Sequence, residues 1–142
     1  MNIMKHNLKT SQRENIAEQI SSYLCRQYEE IIVAYLFGSF VTAGSFGDID
    51  LGILTDRLPD RPLNFELDLE CELEKMIKFP VDVRIINRAP LSFCQNIIRH
   101  GKIIIDKDPD FRAEFQGNIL KQYFDLSRFR RSYLDQVINA PI

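Results

Sequence analysis

A chain of 142 residues with 45% hydrophobic and 27% charged side chains has the size and make-up of one compact domain, 1–142, with a core large enough to need no cross-links. No apolar run approaches the roughly 20 residues that cross a bilayer, and the polar stretch 1–20 lacks the apolar segment and cleavage site of an export leader, so no membrane is involved and the cytoplasm is the expected compartment. The net charge of −2 gives no overall drive to bind nucleic acid, and three scattered cysteines with two histidines supply neither a disulfide framework nor a zinc site or histidine triad.

The first predicted element is an amphipathic helix over 11–27, with Ile16, Ala17, Ile20, Tyr23 and Leu24 at spacings of three and four, Ser11 as N-cap and Glu14 three residues later. Residues 31–37 form an apolar, β-branched run ended by Gly38, the pattern of a central strand covered on both faces. A second strand, 49–54, follows a glycine-containing loop, and 56–62 reads as an exposed connection. Residues 63–78 carry Phe65, Leu67, Leu69, Leu73, Met76 and Ile77 among acidic neighbours and predict a helix with an imperfect stripe. After Pro80, the alternation over 81–86 predicts a strand with two chemically different faces. A short helix over 90–100 stops at Gly101, and 102–106 makes another strand. From about 109 the chain is helical to its end, as one long helix over 110–137 or two broken near Ser127. This order predicts an α/β (α+β) fold, a mixed central sheet flanked by helices. Cys25, Cys71 and Cys94 are expected to be reduced and mostly packed, and His6 and His100 receive no role.

The chemistry concentrates where the first strand ends in Gly38-Ser39 and the second begins with Asp48-Ile49-Asp50. Residues two apart on a strand share a face, so Asp48 and Asp50 converge while Ile49 points into the core. Adjacent carboxylates repel, and a shared proton or a bound cation relieves them; an all-oxygen set favours Mg²⁺ or Mn²⁺. Gly38 admits a ligand close to the backbone, and Ser39 followed by a helical turn aims N–H groups and a hydroxyl at phosphate. Asp82, on the alternating strand, is the best supplied third carboxylate for a second metal and for drawing a proton from an attacking hydroxyl. Arg84 shares its face and is placed to contact a phosphate or orient Asp82. Alone, each of these residues is an ordinary turn or strand position; jointly they outline a nucleoside triphosphate and metal site. The aromatic residues Phe111, Phe115, Phe124 and Phe129 read as core or subunit contact, and Arg128, Arg130 and Arg131 as a solvated helix face.

Gly38-Ser39, a spacer, Asp48-x-Asp50 and the later strand residue Asp82 resemble the motif of the minimal nucleotidyltransferases of the polymerase-beta superfamily, and the resemblance runs over nearly the whole chain. It extends to the MntA-type antitoxin branch, partner of HEPN-domain ribonuclease toxins (HepT), through 81–87 (VDVRIIN), 89–91 (APL), 99–102 (RHGK) and 123–125 (YFD). The resemblance implies a polymerase-beta-like fold and transfer of AMP from ATP, with magnesium, to a tyrosine of a separate toxin, with assembly into a homo-oligomer or a hetero-oligomer with that toxin. Two departures stand out: eight residues, 40–47, form a spacer shorter than the family's usual one, and Phe40-Val41-Thr42 replaces the basic residue that often follows Gly-Ser. Three rival functions remain: an antitoxin that neutralises by binding alone, a small-molecule nucleotidyltransferase, for which the chain has little room to build a substrate domain, and an RNA-directed enzyme, which lacks a basic track.

Overall fold

The computed structural model describes residues 5–139; the outermost residues of the polar N-terminal stretch, 1–4, and of the expected domain, 140–142, lie outside the described residues. The elements in chain order are α1 (Thr10–Gln27), β1 (Ile31–Phe37), α2 (Ser39–Thr42), β2 (Ile49–Thr55), α3 (Pro62–Ile77), β3 (Val81–Ile85), α4 (Leu91–His100), β4 (Lys102–Asp106) and α5 (Pro109–Ile138). The four strands make one sheet in the order β3-β2-β1-β4. β1 runs antiparallel to both β2 and β4, and β2 runs parallel to β3 across the α3 crossover. This is the expected mixed sheet with flanking helices.

Side chains of the sheet enter two apolar layers, one on each face, with β3 burying only its valine face. On one side Leu36, Ile49, Leu51, Ile53, Val81 and Val83 meet Ile20 and Leu24 of α1 and Leu69, Leu73 and Ile77 of α3. On the other, Val33, Tyr35, Phe37, Leu54 and Ile86 meet Cys94 and Ile97 of α4, with Phe111, Phe115 and Ile119 of α5 at the margin. The apolar run of β1 is therefore explained by burial on both faces. Beyond the strands, Asn87 Nδ2 donates to the Thr55 carbonyl at 2.8 Å and its Oδ1 accepts the Thr55 N–H at 3.0 Å. That amide pair ties the exits of β2 and β3 together.

Three sequence expectations change and one open alternative is decided. Helix α1 begins at Thr10, not after a Ser11 cap, because the Lys9 N–H donates to Gln12 Oε1 at 2.9 Å and the box closes two residues earlier. α5 is unbroken through Ser127: Asp108 accepts the Phe111 N–H at 3.1 Å, Pro109 opens the helix, and a single serine does not interrupt the ladder. Leu67 is 52% exposed, outside the Leu69, Leu73, Ile77 stripe that α3 buries. Of the cysteines only Cys94 is buried; Cys25 and Cys71 lie on the outer faces of α1 and α3 as free thiols. No helix of the described residues is long and apolar enough to cross a membrane.

Candidate active site

β1 ends at Gly38, whose φ of 75° lies in the left-handed region that favours glycine. A Cβ at this position would fall on Asp50 Oδ2. Only a glycine lets the turn carrying Ser39 pass this close to the carboxylate. Ser39 opens the single helical turn α2, closed by the Val41 and Thr42 N–H groups donating to the Gly38 carbonyl at 3.1 Å.

Asp50 is the second residue of β2 and lies directly across from Asp82 of β3 in the parallel register. Cross-strand partners sit on one face about 4.8 Å apart along the hydrogen-bonding direction. Asp48 precedes β2 by one residue and is exposed, while Asp50 and Asp82 are half-buried. Burial first, and then the negative charges of Asp82 and Asp48, push the Asp50 carboxyl up to about 6; Arg84 pulls the other way. The Arg84 Nε donates to Asp82 Oδ1 at 3.3 Å, an open pair that orients more than it stabilises. Thus Gly38, Ser39, Asp50, Asp82 and Arg84 gather at one end of the sheet, with the charge of Asp48 felt at Asp50.

This donor set suits a hard divalent cation: it is all oxygen, anionic, and electrostatically frustrated at its centre. Among the described residues no trio of His, Cys, Asp or Glu side chains is gathered tightly enough to hold an ion alone. Mg²⁺ ordinarily keeps waters and takes phosphate oxygens beside one or two carboxylates, which is what Asp48, Asp50 and Asp82 would leave room for.

Two supports of the site carry no sequence signal. Arg13 of α1 reaches under the spacer between Ser39 and Asp48, donating through Nη1 to the Phe40 and Ala43 carbonyls at 2.7 and 2.8 Å, through Nη2 to Gly44, and through Nε to Leu8 at 3.1 Å. Its guanidinium lies 5.1 Å from the Phe46 ring centroid and 5.6 Å from that of Phe40. A basic side chain is thus present at the spacer, but it arrives from a distant helix and is spent on carbonyls. His6, unassigned from sequence, forms a two-bond bridge with Phe46, its N–H donating to the Phe46 carbonyl at 2.7 Å and its own carbonyl accepting at 3.0 Å. Phe46 is fully buried between His6, Phe40 and Phe79. A cavity of about 360 Å³ lined by Arg13, Phe40, Thr42, Gly44 and Lys102 lies behind the spacer and includes none of the three aspartates.

The sequence model of the family described as polymerase beta, nucleotidyltransferase, matches residues 18–110, a span that holds the whole constellation from Gly38 to Arg84. The chain belongs to the polymerase beta nucleotidyltransferase family. Solved structures of similar fold include the toxin-antitoxin MntA-HepT, 21% identical over 88% of this chain and 98% of that one, with a TM-score of 0.68. A tri-AMPylated Shewanella oneidensis HEPN toxin in complex with MNT antitoxin is 21% identical over 89% and 98%, with a TM-score of 0.69. A toxin-antitoxin with AMP-PNP is 23% identical over 88% and 98%, with a TM-score of 0.68. At these identities the likeness carries the fold. No curated relative matches the sequence.

Proposed function

We propose that this nucleotidyltransferase is an antitoxin that transfers AMP from ATP, with magnesium, to a tyrosine of a cognate HEPN ribonuclease toxin. The observation that carries this reading is the in-register placement of Asp50 beside Asp82, against the turn of Gly38 and Ser39. Support for the acceptor comes from the fold neighbours, one a tri-AMPylated HEPN toxin with its MNT antitoxin and another a toxin-antitoxin with AMP-PNP.

In this reading the Ser39 turn binds the triphosphate through its hydroxyl and N–H groups. Asp48 and Asp50 would hold the divalent ions, and Asp82 would share in that and accept the proton of the attacking tyrosine hydroxyl. Arg84 keeps the Asp82 carboxylate oriented and faces the phosphates. When bound, the cations neutralise charge on the phosphates and the leaving group. The phenolic oxygen forms a bond to the α-phosphorus, the bond to the bridging oxygen breaks, and pyrophosphate leaves; the tyrosine proton goes to Asp82. Both partners would meet in the cytoplasm, where ATP is supplied.

The test is the intact mass of the purified toxin after incubation with ATP, magnesium and this protein. Whole AMP additions with the wild type, and none with Asp82→Asn, are expected; an unchanged toxin mass in a preparation shown to bind ATP would overturn the transfer. A second reading, neutralisation by binding alone, is favoured by the distal half of α5, where Phe129, Tyr133, Leu134 and Val137 are 55–68% exposed. A double variant Asp48→Asn, Asp50→Asn that still silences the toxin at wild-type potency would select it.

A further inference from the structure

β3 is an edge strand, paired on one side only. Its outward N–H groups are the kind that fray into water or recruit a foreign strand. Here each meets a glutamate of α3 instead. The Val81 N–H donates to Glu74 Oε1 at 2.9 Å, the Val83 N–H to Glu70 Oε1 at 2.9 Å, and the Ile85 N–H to Glu66 Oε2 at 3.1 Å. The match has a geometric cause: four residues of helix rise about 6.0 Å and two of strand about 6.6 Å, so a helix running antiparallel to the strand keeps step with it. Leu69, Leu73 and Ile77 face the sheet, and the glutamates beside them on the helix reach round its edge.

Asp82 sits between two of these clamped amides, those of Val81 and Val83. Its carboxylate stands abreast of Asp50, in a like-charge contact that also raises the Asp50 carboxyl. A short edge strand would relieve that repulsion by peeling away from β2. We propose that Glu70 and Glu74 are positioning residues for nucleotidyl transfer, holding the Asp82 segment of β3 against the repulsion that the reaction centre builds into it. The inference rests on the role of Asp82 given above and adds to it a restraint from α3. Glu66 grips the strand beyond Arg84 and should matter less.

The experiment compares Glu70→Met, which keeps the side-chain length but removes the acceptor, with Glu70→Gln, which keeps an acceptor oxygen and removes the charge. Amide exchange at Val83 is read together with kcat and KM for ATP, with the cognate toxin as acceptor and well below the melting temperature. Glu70→Met is expected to speed Val83 exchange at least tenfold and lower kcat at least tenfold, with KM for ATP within about twofold. Glu70→Gln should recover kcat to within about threefold of wild type. Glu74→Met repeats the test should Glu70→Met not fold, and Glu66→Met should lower kcat less than either. In an Asp82→Asn background, where the repulsion is gone, Glu70→Met should speed Val83 exchange by less than it does with Asp82 in place.

Faster exchange with unchanged kcat overturns the positioning role, as does equal impairment by Met and Gln or an undiminished speeding of Val83 exchange in the Asp82→Asn background. An Asp82→Asn variant that transfers AMP normally removes the underlying reading as well. An inactive Asp82→Asn beside a fully active Glu70→Met removes only the ladder.

Discussion

Replacing Asp50 by asparagine should make the metal-free protein more stable while abolishing transfer. The carboxyl is pushed from 3.8 to about 6 by burial and by Asp82 and Asp48. The folded state therefore binds the proton more tightly than the unfolded chain, and stability is lost as pH rises from about 4 through about 6. Taken whole, a shift of about 2 units is worth about 3 kcal/mol, but Asp50 is only half-buried and water screens it, which brings the cost nearer 1 kcal/mol. Asparagine keeps the shape and removes the charge. In a chain of this length about 1 kcal/mol moves Tm by roughly 4 °C. Thermal melts in a chelator should show Asp50→Asn above wild type by that amount at pH 7.5, with the gap shrinking to roughly a third at pH 4.5, where wild type already carries most of the proton. Added MgATP should raise the wild-type Tm and leave the variant unmoved. A variant less stable than wild type at pH 7.5, or a gap that ignores pH, would refute the reading of Asp50 as a strained carboxylate awaiting a cation.

Other perturbations separate the parts of the site. Gly38→Ala forces a side chain into a left-handed backbone and onto Asp50 Oδ2; thermal melts should show a loss of about 1–3 kcal/mol, and the toxin-mass assay no transfer. Arg13→Ala removes the donor that gathers the carbonyls of Leu8, Phe40, Ala43 and Gly44, and should cost about 2 kcal/mol in denaturant titration while raising KM for ATP more than it lowers kcat. Phe129→Asp on exposed α5 should leave Tm within about 1–2 °C yet weaken toxin binding in calorimetry.

The strands were legible because burial leaves plain patterns: the unbroken apolar run of β1 marked a strand covered on both faces, and the alternation over 81–86 separated core-facing valines from Asp82 and Arg84. The same alternation foretold that Asp82 and Arg84 share a face, and their 3.3 Å contact follows from it. The pairing of Asp50 with Asp82 needed the parallel register, which no local pattern encodes. Arg13 was illegible for the same reason: its acceptors in the spacer lie 27 to 31 residues away, and nothing in α1 distinguishes it from a solvated arginine. The acidic residues of α3 showed in the sequence only as the polar neighbours of an imperfect stripe, whereas Glu66, Glu70 and Glu74, four residues apart, each accept a strand amide. For α5 the sequence left one long helix and a break near Ser127 equally open, and the structure takes the first, because the ladder of backbone bonds continues through a residue that merely lowers propensity.

The central claim is that Asp48, Asp50 and Asp82 gather divalent ions beside a triphosphate held at Ser39. Anomalous diffraction from crystals grown with Mn²⁺ and a non-hydrolysable ATP analogue tests it in one measurement. Manganese should appear coordinated by the Asp48 and Asp50 carboxylates with Asp82 alongside, and the triphosphate against the Ser39 turn. Nucleotide bound in the cavity behind Arg13, with no manganese at Asp50, would contradict it.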